Sequence, residues 1–147
     1  MIIFNELPSG LEDFIQKVKN ELEAIVKKEI GNVDVSFIFI TPETMAEMNK
    51  QYRGKDGATD VLTFVYGNNA EGEEEPYSEG YLCLEKILEN SKEFGNSLEK
   101  ELLTVLVHSI LHMAGYDHEY SSENSEEMFK KQEEYVDKIW QGFNKEL

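Results

Sequence analysis

The amino-acid sequence predicts an α+β fold, with one domain in which a mixed four-stranded sheet packs against helices. Apolar residues at helical spacing cover much of the chain, and short runs rich in β-branched and aromatic residues lie between them. The two kinds of segment do not alternate strictly, and no repeat or linker divides the chain. At 147 residues the chain provides one hydrophobic core, so we expect a single domain covering residues 1–147.

The first elements are an edge strand and a long helix. Residues 2–4 are apolar and predict the short strand. Residues 9–12, with the sequence SGLE, match a capping box, and apolar residues at helical spacing follow them. Gly31 is expected to be the C-cap of this helix.

A second strand and a shorter helix follow. Apolar and polar residues alternate at the start of residues 33–40, and both faces then become apolar, which predicts a strand central in the sheet. Thr41 and Pro42 are typical of an N-cap and a first helical position, so a helix is expected to run to about Tyr52.

The middle of the chain predicts two more strands with a loop between them. Residues 59–66 are β-rich and indicate a third strand. Residues 67–79 have no apolar periodicity and carry many acidic side chains, which indicates a mobile loop. Residues 80–84 resemble a fourth strand.

Three helices are expected in the remaining chain. Residues 85–94 form a short helix that Gly95 ends, and Ser97 caps the next one. That next helix is apolar on nearly every side and should be buried at the centre of the fold until Gly115 ends it. The segment from about Ser122 is amphipathic and predicts a surface helix.

Charge and composition restrict the classes of partner. The chain has 30 acidic and 14 basic residues, so its net charge of −16 repels phosphate backbones unless a local basic groove or a bound cation contacts them. A strongly acidic surface also favours a monomer. No membrane segment or basic leader is recognised, and the single cysteine, Cys83, fits a reducing compartment and a small buried side chain, so we expect a cytoplasmic protein.

The most informative segment of the chain is residues 108–118. These eleven residues contain all three histidines of the chain. His108 and His112 are four residues apart on the buried helix and therefore share one of its faces. Gly115 allows the backbone to turn so that His118 returns toward them. Three imidazoles on zinc leave a fourth position open, as in catalytic sites.

Alternative interpretations of this cluster remain. The histidines can instead pack in the helix and on a loop without a metal, and imidazole ligands also suit nickel or another transition metal. Asp117 is either a further ligand or a partner that orients His118. The spacing is also that of metzincin proteases, in which a glutamate base follows the first histidine. Ser109 occupies that position here, and because serine is no base at neutral pH a protease is disfavoured.

Two segments, residues 48–64 (MNKQYRGKDGATDVLTF) and the histidine segment, together resemble the YbeY family. The resemblance implies a zinc-dependent endoribonuclease that cleaves single strands and acts in small-subunit ribosomal RNA maturation and ribosome quality control. It implies His108, His112 and His118 as metal ligands and Arg53 as the catalytic arginine, with RNA and the ribosome or ribosomal proteins as partners. The departures from the usual family residues are at Thr63, Tyr81 and Ser109.

The residues alone leave two questions open. Arg53, the only arginine, is also interpretable as a helix-end residue paired with Asp56 or Asp60, although the resemblance favours a contact with phosphate. The second functional hypothesis is a non-catalytic, ribosome-associated factor with a structural metal site. A metzincin-like protease is the third.

Overall fold

A computed structural model describes residues 1–66, 77–116 and 122–145, with the side chains of 125–143 in the last range. The α+β class is confirmed. In order along the chain the elements are β1 (Ile2–Asn5), α1 (Glu12–Glu29), β2 (Asp34–Phe39), α2 (Pro42–Arg53), β3 (Val61–Tyr66), β4 (Tyr77–Leu82), α3 (Leu84–Phe94), α4 (Leu98–Met113) and α5 (Ser122–Lys145).

The sheet is mixed and four-stranded, as expected, with the order β1-β2-β4-β3. β1 and β4 each pair with β2 in parallel, whereas β3 pairs with β4 in antiparallel orientation. The predicted central position of β2 is therefore confirmed. Phe37 of β2 and Thr63 of β3 both pair with Gly80 of β4, which places β4 between two strands that are distant from each other in sequence.

Both ends of β4 correct the sequence prediction. The sequence predicts a mobile loop over residues 77–79 and a strand to residue 84, but the strand runs from Tyr77 to Leu82, and Leu84 already begins α3. Pairing with β2 and β3 extends the strand back to Tyr77, and the rings of Tyr77 and Tyr66 stack with their centroids 4.9 Å apart. Cross-strand aromatic contacts of this kind stabilise a strand whose own sequence is a weak signal. The rest of the predicted loop, residues 67–76, lies outside the described residues.

Helices cover both faces of the sheet. α1, α4 and α5 share the main hydrophobic core with one face, and α4 is buried along most of its length, as predicted. α2 packs on the other face, where Met45, Leu62 and Cys83 form a smaller buried cluster. The predicted burial of Cys83 is thus confirmed. No helix in the described ranges has the length and hydropathy needed to cross a membrane.

The ends of α2, α3 and α4 follow the predicted signals. Thr41 and Ser97 accept hydrogen bonds from backbone N–H groups three residues later, at 3.2 Å in each case, and so cap α2 and α4. Gly95 and Gly115 have positive φ values at the ends of α3 and α4. Together these residues fix the boundaries of the helices that carry the candidate site.

Both ends of α1 differ from the prediction. Its C-cap is Ile30 rather than Gly31, which follows with φ +121°. At its start, the capping box at residues 9–12 is wrong. The helix begins at Glu12, and its N-cap, Leu11, makes no side-chain capping bond. A turn in which Leu11 N–H donates to the Pro8 carbonyl at 3.3 Å, with Gly10 at φ +93°, delays the helix. The carboxylate of Glu12 accepts a hydrogen bond from Gly10 N–H at 2.9 Å instead of from Ser9.

Gly80 lies where β4 passes beneath α4, and the space there excludes a side chain. A Cβ atom at this position would lie 2.7 Å from two ring carbons of Phe37 and 2.9 Å from the Ser109 hydroxyl. Both neighbours are completely buried. We therefore expect Gly80→Ala to lower the free energy of unfolding in urea by about 1–3 kcal/mol. Gly142→Ala on α5 is the matched control, because nothing lies within 4 Å of the added methyl group. Equal stabilities of the two variants would contradict the prediction.

Candidate metal centre

Helix α4 brings together one ring nitrogen from each of two of the three predicted ligands. The Nε2 atoms of His108 and His112 lie 3.0 Å apart, and their ring centroids are 4.6 Å apart. Both side chains are half-buried on one face of α4. Two imidazole nitrogens on one tetrahedral zinc ion lie about 3.3 Å from each other, since each Zn–N bond is about 2.05 Å. The pair therefore has a spacing at which both nitrogens can bind the same ion.

The other ring nitrogen of His108 contacts a residue that the sequence analysis missed. His108 Nδ1 lies 2.6 Å from Oε1 of Gln132, on α5. One sequence signal was available: Gln132 is four residues from Met128 and four from Val136, which are both buried. A polar residue at helical spacing between two core residues indicates a specific hydrogen-bond partner inside the fold.

The third predicted ligand, His118, and its neighbour Asp117 lie outside the described residues. In residues 1–66, 77–116 and 122–145, no group of three or more His, Cys, Asp or Glu side chains is arranged to hold a metal ion. The chain does turn after α4 as expected, because Gly115 has φ +101° and Tyr116 N–H donates to the Leu111 carbonyl at 3.1 Å. The set of three histidines stays a prediction.

Ser109 points away from the histidine pair and toward the sheet. It is fully buried, and its hydroxyl lies 2.8 Å from the hydroxyl of Thr63 on β3. Adjacent residues of a helix point in different directions, so the position next to His108 faces the core rather than the imidazoles. A protease-type base has no place there in this structure.

Arg53 is the exposed last residue of α2, and α2 lies on the opposite side of β3 from α4. Tyr52 packs its ring edge-on against Phe64, with centroids 5.2 Å apart, whereas the neighbouring Thr63 bonds to α4. Successive strand residues point to opposite faces. The helix that ends in Arg53 and the helix that carries the histidines therefore flank the same strand, which is the last one in the sheet order.

A buried carboxylate fixes α5 next to the histidines. The side chain of Glu29, at the end of α1, is only 6% exposed and accepts hydrogen bonds from Lys131 at 3.2 and 3.3 Å. Tyr116 donates to it at 3.4 Å, and Tyr135 donates to its other oxygen. Burial raises the pKa of Glu29, but the hydrogen bonds from Tyr135 and Lys131 outweigh it and hold the pKa below the ordinary value of 4.5. The cluster joins α1, the turn after α4, and α5.

This cluster predicts a specific pH dependence of stability. Because the pKa of Glu29 is lower in the folded chain than in the unfolded one, its stabilising contribution is complete above pH 4.5 and is lost as the pH falls through the folded value. We expect Glu29→Gln to lower the free energy of unfolding by about 1–3 kcal/mol at pH 7, with a difference that shrinks in acid. Urea unfolding from pH 7 to pH 3 measures it, with exposed Glu21→Gln as control. If the free energy of unfolding changed with pH in the same way for Glu29→Gln and the wild type, the prediction would be contradicted.

Comparison with known families identifies the chain. The family described as Endoribonuclease YbeY matches residues 5–140. The chain belongs to the YbeY family. This confirms the resemblance drawn from residues 48–64 and the histidine segment.

Relatives in the YbeY family are similar over most of their length. A protein named Endoribonuclease YbeY from Thermotoga maritima is 49% identical over 126 residues, which cover 86% of this chain and 81% of that protein. A protein of the same name from Thermotoga neapolitana is 44% identical over 136 residues, covering 92% and 87%. The solution structure of TM1509 from Thermotoga maritima is 42% identical with a TM-score of 0.70, and the match covers 99% of this chain and 93% of that one. The similarity to known proteins therefore extends from the sequence to the fold.

Proposed function

We propose that this chain is a metal-dependent endoribonuclease that cleaves single-stranded RNA and acts in small-subunit ribosomal RNA maturation and ribosome quality control. The observation that carries the proposal is the pair of facing Nε2 atoms, 3.0 Å apart, on a chain of the YbeY family. The relatives named Endoribonuclease YbeY support RNA as the substrate. The proposed ligands are His108, His112 and His118, and the proposed metal is zinc, with nickel or another transition metal as the alternative.

The donor set fits such an ion. Two imidazole nitrogens face each other, and Gln132 accepts at the far nitrogen of His108, an arrangement common at histidine metal sites. Bound zinc would supply a Lewis acid for phosphate oxygens and would lower the pKa of a water molecule to about 7. His108 and His112 would hold the ion, Arg53 would bind a phosphate through its planar fork, and the buried Ser109 would take no part in proton transfer.

The end of α2 offers this acidic chain a local surface for RNA. Lys50, Arg53 and Lys55 are all exposed there, close together in sequence, although acidic residues dominate the chain as a whole. Tyr52, 57% exposed, lies between them. Positive side chains next to an exposed aromatic ring suit the backbone and the unstacked bases of a single strand. This placement supports the local basic contact that the net charge of −16 requires.

Metal removal tests the proposed function. We expect the purified protein to cleave a single-stranded oligonucleotide of ribosomal RNA sequence and to leave the corresponding duplex intact. Treatment with a chelator that is then dialysed away should abolish cleavage, and added zinc should restore it. Metal content before and after treatment is measured by mass spectrometry. Undiminished cleavage by protein shown to be metal-free would exclude the proposal.

Two other outcomes identify the alternative functions. A metal-loaded protein that binds ribosomes without cleaving RNA, and whose His108→Ala variant still binds and still functions in cells, would be a non-catalytic ribosome factor. Hydrolysis of casein by the metal-loaded protein would indicate a protease. The buried position of Ser109 is a specific observation against the latter.

A further inference from the structure

We propose that Gln132 is a positioning residue that holds His108 in the tautomer needed to bind a metal, an inference that rests on the proposed metal centre. The amide oxygen of Gln132 only accepts hydrogen bonds, so at 2.6 Å the proton of this bond belongs to His108 Nδ1. A neutral imidazole carries one N–H. Its proton is then on Nδ1, and Nε2, the atom that faces His112, keeps its lone pair.

The position of Gln132 on α5 supports a specific role. Met128 is completely buried and Val136 is 5% exposed, so Gln132 lies on the face of α5 that packs into the core. An amide on such a face costs free energy unless it is hydrogen-bonded, and the bond to His108 satisfies its oxygen. Gln132 itself is half-buried, and the residues one turn before and after it on this face are apolar core residues. Packing alone therefore does not explain a glutamine there.

The neighbours of Gln132 hold its oxygen in place. Lys131 precedes it and Tyr135 lies almost one turn later, and both bond to the buried carboxylate of Glu29 on α1. Phe129, nearly one turn earlier on α5, packs its ring 6.2 Å from the His108 ring. The imidazole thus contacts α5 through both its face and its Nδ1 atom. α5 is fixed independently by Glu29, so the orientation of His108 does not depend on α4 alone.

The consequence concerns the lone pair at His108 Nε2. Without an acceptor at Nδ1, the proton is free to move to Nε2, where it blocks the nitrogen that would bind the ion. Loss of such a partner at other histidine metal sites lowers metal affinity about 10- to 100-fold. A glutamate at the same position keeps an acceptor of similar size, so it should preserve the tautomer. The charge of a glutamate would also strengthen the bond.

Metal affinity is the first test. We expect Gln132→Met, which keeps the side-chain length, to weaken zinc binding about 10- to 100-fold in a competition titration against a chromophoric chelator. Gln132→Glu should bind at least as tightly as the wild type. Gln141→Met, at an exposed position on the same helix, is the matched control and should not change the affinity. Equal affinities for wild type and Gln132→Met would overturn the inference.

The tautomer of the metal-free protein is the second test, and it separates this inference from the proposed function. Nitrogen-15 NMR of the imidazoles at pH 8.5 should show His108 protonated at Nδ1 in the wild type and in Gln132→Glu. In Gln132→Met the proton should shift toward Nε2. If the wild type bound no metal, the metal-dependent function would fail, while this spectrum would still support or overturn the role of Gln132. An Nε2-protonated His108 in the wild type would overturn it.

Discussion

Replacing His112 with alanine is expected to lower the cleavage of single-stranded RNA by about 10³-fold or more and to abolish tight metal binding. The reason is geometric, because His112 supplies one of the two nitrogens that face each other at 3.0 Å, and a single imidazole on α4 cannot replace the pair. Single-turnover cleavage and zinc titration measure the two effects together. His112 is half-buried near the end of α4, so the core remains largely intact.

The control for this variant is Lys138→Ala, an exposed position on α5 that should keep full activity. Thermal unfolding of both variants in the absence of metal establishes that each is folded. Cleavage by His112→Ala within twofold of the wild-type rate, in folded protein, would show that the histidine pair is not the catalytic centre.

Replacing Arg53 with lysine is expected to lower kcat/KM for single-stranded RNA about 100-fold, almost as much as replacement with alanine. Lysine keeps the charge but lacks the planar fork that binds two phosphate oxygens at once. The position is exposed at the end of α2, so both variants should unfold at nearly the wild-type temperature.

The comparison of lysine with alanine separates two roles for Arg53. If only positive charge matters, Arg53→Lys will retain most of the activity and the salt dependence of binding will be unchanged. If the fork matters, both variants will lose activity, and the loss will appear mainly in kcat. Full activity of Arg53→Ala would contradict any contact between this residue and the scissile phosphate.

The helices of this fold were largely predictable because their signals are local. Apolar spacing and the caps at Thr41 and Ser97 gave α2 and α4 to within about one residue of the observed bounds. The start of β4 was not predictable in the same way. Tyr77 is in the strand because it pairs with Asp34 and Tyr66. The acidic residues that precede Tyr77 in the sequence give no indication of either pairing.

In the candidate site, too, contacts within one element were predictable and contacts between distant elements were not. The spacing of His108 and His112 is a property of one helix and could be read from the sequence, whereas Gln132 reaches His108 across 24 residues through the docking of α5. Arg53 stands out as the only arginine of the chain, but its assignment to phosphate rests on the family resemblance, because nothing local distinguishes a phosphate-binding arginine from a helix-end arginine. The structure shows in addition that α2, which ends in Arg53, packs on one side of β3 and that α4 packs on the other side.

Thr63 and Ser109, two residues that the resemblance leads us to expect as departures from the usual family residues, contact each other in the fold. Thr63 and Ser109 share a hydrogen bond of 2.8 Å, and Ser109 also lies against the backbone of Gly80. The hydroxyl of Ser109 is therefore satisfied by the other departure rather than left unpaired in the core. These substitutions concern the packing of α4 on the sheet, and the histidine pair lies on another side of the helix.

The insertion of β4 between β2 and β3 has a consequence for the route by which the chain folds. Phe37 and Gly80 are paired neighbours in the sheet but are far apart along the chain, so the sheet closes only after a long segment has been ordered. His108 and His112 both lie on α4, so their contact forms within one helix and does not require the sheet to be assembled. We expect α4 to bring the two imidazoles together early in folding, and the contact from Gln132 to form among the last steps, when α5 docks.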